Sequence, residues 1–180
     1  MKMRVLLYRT PWKLKAKYIV NWLISARTLS KWSHIEVQDP DANGQFGVLW
    51  SDGHYEAFGT CYTSTMRGDD NGTVVRDASE VLDHPENWDF YEIELSDDQY
   101  AGILDWMDKA VRNNYGYATW DILKFISPIH FQDHKRNICS EFVNNALWIV
   151  AFFKSPGIIS PGAVAKKLTK LGLKVQSLIK

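Results

Sequence analysis

A chain of 180 residues, 46% hydrophobic and 23% charged, is long enough to bury one core as a single domain over 1–180 without disulfide or metal staples. Two cysteines at zero net charge exclude a disulfide scaffold and point to a reducing, cytoplasmic setting. No apolar window has the length of a membrane span or a signal peptide. The charges are segregated, however. Eight basic residues and no acid precede Glu36, and six lysines and no acid follow Glu141. Such basic ends either match the acidic middle of the chain or form a face for phosphate or anionic lipid.

In chain order, Met3 to Tyr8 reads as a short strand. Pro11 opens a helix to about Ala26, with Trp12, Ala16, Ile19, Trp22, Leu23 and Ala26 on one face and lysines on the other. That pattern fits a helix packed on a sheet, and it would also allow peripheral membrane contact. Trp32 to Gln38 alternates as a strand, with His34, Glu36 and Gln38 on one face and Ile35 and Val37 on the other. Phe46–Trp50 and His54–Phe58 make a hairpin around Ser51-Asp52-Gly53. The Thr-, Ser-, Gly- and Asp-rich stretch from Gly59 to Gly72 reads as a long surface loop, with Cys61 incidental within it. Val74–Arg76 is a short strand and Asp89–Leu95 a full one.

Ser96-Asp97-Asp98-Gln99 is a capping box that opens a helix to about Asn113. After the Tyr115-Gly116-Tyr117 loop come a short helix over Thr119–Ile126, a helix from about Cys139 to Phe153, and a last one near Ala163–Leu171. Strands in the first half and helices in the second predict an α+β fold, an antiparallel sheet packed against helices.

The chemistry centres on Asn137-Ile138-Cys139-Ser140-Glu141-Phe142. A thiol at a helix start, just after Lys135 and Arg136, sits where unpaired N–H groups and the helix dipole favour the thiolate. A nucleophilic thiolate needs a base, and His34 on the Ser33-His34-Ile35-Glu36-Val37 strand is the candidate. Glu141 reads as a partner of the dipole. His130, His134 and Cys139 form a soft ligand set, but Pro128 and Asp133-His134-Lys135 indicate a loop, where a four-residue step defines no shared face. No metal or other cofactor is expected. Neither is nucleic acid, because the middle is acidic and no aromatic-basic interleaving occurs. Phosphate-binding glycine motifs are absent.

The Ser33–Val37 strand followed far downstream by Ile138-Cys139-Ser140-Glu141-Phe142-Val143 resembles the circularly permuted, NlpC-like branch of the papain-like cysteine hydrolases. That branch includes the YaeF/YiiX proteins and, more distantly, lecithin:retinol acyltransferase. Tyr115-Gly116-Tyr117, Trp120-Asp121 and Ser155-Pro156-Gly157 are similar too, so the resemblance covers roughly residues 30–160. It implies a permuted papain-like fold, Cys139 as nucleophile and His34 as base. The third polar group would be Glu36, with His54 or Asp52 as competitors; Tyr117, from its position before the cysteine alone, reads as a substrate-binding residue of the cleft. Contact between His34 and Glu36 needs both side chains to lean, since two positions along a strand span about 7 Å. The implied activity is cleavage of an amide in a peptide or amino-acid conjugate. Alternatives are acyl transfer or thioester chemistry on a lipid or other ester, or a silent binding protein on the same fold.

Overall fold

The computed structural model describes residues 1–11, 25–26, 28–65, 71–117, 136–156 and 159–179. The predicted helices over Trp12–Ala26 (all but its last two residues) and Thr119–Ile126 lie outside them, as do His130, His134 and Lys135. What is described is an α+β fold built on a six-stranded antiparallel sheet. Its strands are β1 (Lys2–Arg9), β2 (Trp32–Asp39), β5 (Thr60–Thr65), β6 (Gly72–Asp77), β7 (Trp88–Glu94) and β10 (Gln176–Ser177). They run in the order β10-β7-β1-β2-β5-β6. The hairpin β3 (Gly47–Leu49) and β4 (Tyr55–Ala57) is a separate two-stranded sheet. A third pair, β8 (Gly116–Tyr117) and β9 (Arg136–Asn137), is parallel. The helices are α1 (Ala78–Val81), α2 (Asp97–Arg112), α3 (Cys139–Ile149) and α4 (Pro161–Lys170).

Period-two patterning on both faces explains why the sheet is covered twice. Val5, Leu7, Ile35, Val37, Tyr62, Tyr91 and Ile93 form the main core with α2, α3 and α4. The opposite face carries Leu6, Cys61, Trp88 and Phe90, packed with Ala57, Ala78, Leu82 and Leu178. Two polar devices fasten the hairpin over this second face. The Gln38 amide donates to the carbonyls of Phe46 and Phe58, both at 2.9 Å. The Arg4 guanidinium lies between the Phe46 and Phe90 rings, 4.3 and 4.2 Å from their centroids, a geometry that attracts a cation to both π faces.

Helix α2 begins with the expected capping box: Ser96 accepts from the Gln99 N–H, and Gln99 accepts from the Ser96 N–H. It is tied to the sheet by Tyr100, which donates to Asp39 at 2.6 Å, and by Tyr62, which donates to Asp108 at 3.0 Å. Burial first, then the Asp108 carboxylate, pushes the Tyr62 phenol up to about 12.

Three expectations need correction. Gly59–Gly72 is not one long loop: Thr60–Thr65 and Gly72–Asp77 pair as β5 and β6, and Cys61 is a fully buried strand residue. Threonine, tyrosine and cysteine suit a pleated, half-buried surface even when the stretch looks polar. Helix α3 stops at Ile149 rather than Phe153. Ala151 takes the left-handed conformation (φ 58°), and the Ala151 and Phe152 N–H groups donate back to Trp148 and Leu147, a Schellman ending made without glycine. Helix α4 starts earlier, at Pro161, because Ser160 caps it by accepting from the Ala163 N–H.

Gly59 joins the hairpin to β5 at φ 82°, where an added Cβ would overlap the Asp39 carbonyl oxygen. Gly59→Ala is expected to cost roughly 2 kcal/mol or more, from left-handed strain plus this overlap. Urea unfolding measures it, and a loss below about 0.5 kcal/mol, the usual scale of surface substitutions, would contradict the close approach.

Candidate active site

Strand β2 carries the first part of the site, and a bulge sets its aim. Tyr8 pairs with His34 but Arg9 pairs with Trp32, so Ser33 is an extra residue in β2. Trp32 therefore packs towards the main core, although it is two residues from His34. Bulges re-aim side chains in this way and concentrate beside active sites. The entry to the bulge is held by Asp89. Its buried carboxylate accepts from the Trp32 indole N–H at 2.8 Å and pairs with Lys31 at 2.9 Å and Arg9 at 3.6 Å. Lys31 also lies 4.7 Å from the centre of the Trp32 ring.

Beyond the bulge, His34 and Glu36 share the second face of the sheet and both are buried. His34 Nε2 lies 2.9 Å from Glu36 Oε1, so the side chains do lean together along the strand. A carboxylate acceptor beside Nε2 favours, in the neutral ring, the tautomer with its proton on that nitrogen. Trp88 meets the imidazole edge-on at 6.5 Å and Tyr8 at 5.1 Å. Thr63 Oγ1 stands 3.4 Å from Nε2.

His54 and Asp52 are not beside His34. Both are exposed at the turn of the hairpin, where Asp52 accepts from the His54 N–H at 2.9 Å. The strand next to β2 on that side is β5, not β4. Glu36 is thus the predicted third group that touches the imidazole.

Cys139 is the first residue of α3, following Ile138 in extended conformation (φ −87°, ψ 161°) with no side-chain cap. An uncapped helix start leaves backbone N–H groups directed at whatever sits there. Cys139 is 4% exposed and belongs to the main core, where α3 packs on both β2 and β5 from the face of the sheet opposite to that bearing His34 and Glu36. Glu141 in the same first turn is buried as well. Tyr117 is brought close through the backbone: it pairs with Asn137, two residues before Cys139.

The β2–β5 ladder has an opening at the level of His34, in pairing and not in packing, since Ser33, His34, Thr63 and Ser64 are all buried. Their pairing covers only Val37–Tyr62, Gln38–Cys61 and Asp39–Thr60, although both strands continue past it. Thr63 bridges the opening by donating to the Ile35 carbonyl at 3.2 Å. Neither this opening, nor the bulge, nor Thr63, Trp88 and Asp89 was singled out from the sequence. The alternation through Cys61, Thr63 and Thr65 was the available signal for β5.

Cys61 has a different character from Cys139. Burial pushes its thiol well above the ordinary value of 9.0, and the Glu36 and Asp77 carboxylates act in the same direction. The folded state then binds the thiol proton more tightly than the unfolded chain. The associated stability is present below pH 9.0 and is lost as pH rises beyond it. In the folded protein at neutral pH, iodoacetamide is expected to leave Cys61 unmodified and to label it only after unfolding. Peptide mapping checks this, and native labelling of Cys61 would contradict it.

No known protein family matches the chain, and neither does any curated protein.

Proposed function

We propose that the protein is a thiol hydrolase that cleaves an amide bond, in a peptide or an amino-acid conjugate, through an acyl-enzyme on Cys139. The observation that carries this reading is the buried contact of 2.9 Å between His34 Nε2 and Glu36 Oε1. A carboxylate on one imidazole nitrogen orients the ring and stabilises its protonated form, which is what a general base requires. The Cys139 helix packs on the same strand from the opposite, main-core face of the sheet, so the thiol and the imidazole would meet where the β2–β5 ladder ends. The resemblance to permuted NlpC-like enzymes gives further support. We assign the chain to that papain-like fold, in which the histidine strand precedes the cysteine helix.

In this mechanism His34 Nδ1 takes the Cys139 proton, and the thiolate attacks the amide carbonyl carbon. The Cys139 backbone N–H, at the positive end of α3, receives the developing oxyanion. As the C–N bond breaks, the imidazolium gives its proton to the departing amine. Water, deprotonated by the same imidazole, then attacks the thioester and releases the acid and the thiol. Glu36 remains ionised and holds the Nε2 proton throughout. Tyr117, whose backbone pairs with Asn137 two residues before Cys139, is the proposed substrate-binding residue. No cofactor takes part in these steps, and neither cysteine is in a disulfide, which suits a reducing compartment such as the cytoplasm.

Hydrolysis of a library of peptide and aminoacyl amides, with matched esters, tests the reading. Cys139→Ala and His34→Ala are expected to abolish turnover, and Glu36→Gln to reduce it roughly a hundredfold or more, as happens when a histidine loses its orienting carboxylate. Turnover that survives Cys139→Ala would sink the proposal. Turnover of esters alone would replace the amide by an ester as substrate.

A further inference from the structure

Resting on the catalytic roles just assigned, we infer that Thr63 is a positioning residue for the candidate base, fixing the His34 tautomer from across the opening in the sheet. Three observations meet at its hydroxyl. The residue is buried. Its Oγ1 lies 3.2 Å from the Ile35 carbonyl oxygen and 3.4 Å from His34 Nε2, with the Ser64 carbonyl also at 3.4 Å. It also stands where the β2–β5 ladder has stopped, one residue beyond the last pair, Val37–Tyr62.

The hydroxyl has one proton to donate and two lone pairs to accept with. The nearest carbonyl, that of Ile35, is an obligatory acceptor, and the ladder stops before reaching it. Thr63 gives its proton to that carbonyl at 3.2 Å, so towards His34 its oxygen only accepts. Nε2 then faces two acceptors, Glu36 Oε1 at 2.9 Å and Thr63 Oγ1 at 3.4 Å. Placing the proton on Nδ1 would leave two oxygens opposed to a bare nitrogen lone pair. The pair of acceptors therefore holds the proton on Nε2 and keeps Nδ1 basic. Thr63 also links the two strands where their ladder has ended, so the same side chain touches the ring and joins β5 to β2.

The test needs no substrate. The rate of Cys139 alkylation by iodoacetamide is measured against pH, with peptide mapping to separate it from Cys61. For the wild-type chain the thiolate is expected to persist below the ordinary thiol range. Thr63→Val, which keeps the shape and removes the hydroxyl, is expected to raise the midpoint by about one pH unit, making alkylation about tenfold slower on the acidic limb. Thr63→Ser is expected to restore the wild-type profile.

A Thr63→Val profile that coincides with wild type, while His34→Ala shifts it, overturns this inference and leaves the catalytic reading standing. Failure of Thr63→Ser to rescue assigns the effect to packing and also overturns it. A profile indifferent to His34→Ala removes the base and both proposals with it. If Thr63→Val does not fold, the nitrogen NMR spectrum of the neutral His34 ring, recorded in the wild-type chain above the pH at which the imidazolium loses its proton, decides: a proton on Nε2 is expected, and a neutral ring protonated on Nδ1 instead overturns the inference.

Discussion

A carboxylate and an imidazole buried together on one strand are the constraint around which the rest of this structure is arranged. Groups of this kind lose much by leaving water and recover it only through good hydrogen bonds. His34 and Glu36 meet that requirement in part through their 2.9 Å contact at Oε1, while Glu36 Oε2 is buried with no hydrogen-bond partner among the described residues. Trp88 closes one side of the ring. The hairpin, fastened by Gln38 and Arg4 to the same face of the sheet, covers the strand beyond Glu36. Stability alone gives no reason for such a pair, since apolar residues of similar volume usually serve as well or better. The reason proposed is chemical: the pair would serve as an oriented base for the thiol that begins α3, the helix packed on the other face of the same strand.

The sheet supports that arrangement by being irregular at two places on one strand. The extra residue at Ser33 turns His34 to one face and Trp32 to the other. The interrupted ladder with β5 exposes the Ile35 carbonyl, which Thr63 then satisfies. Regular pairing would give a more uniform sheet and leave no opening beside the histidine. Asp89 holds the entry rigid, gathering Trp32, Lys31 and Arg9 on one buried carboxylate. Truncating either side of that cluster would leave an uncompensated charge or donor next to the bulge.

Local signals that act over a few residues were read directly from the chain. The capping box at Ser96, the strand alternation around His34, the hairpin around Asp52-Gly53 and a helix opening at Cys139 all rest on near-neighbour rules. The β5 strand was missed because threonine and serine resemble loop residues in composition, while their fitness for a strand depends on what lies across from them. The end of α3 was missed for a similar reason: Ala151 adopts a conformation that usually marks glycine.

The chain by itself determined the α+β class, the strand bearing His34 and Glu36, and the helix that starts with Cys139, because periodicity and end-capping are written in consecutive residues. Only the tertiary structure decided that Glu36, rather than His54 or Asp52, touches the imidazole. That choice depends on which strand lies beside β2, and β5 takes the place because the hairpin folds over the sheet instead of extending it. The roles of Thr63, Trp88 and Asp89 were settled in the same way, by cross-strand neighbours and a register shift, neither of which is a property of local sequence.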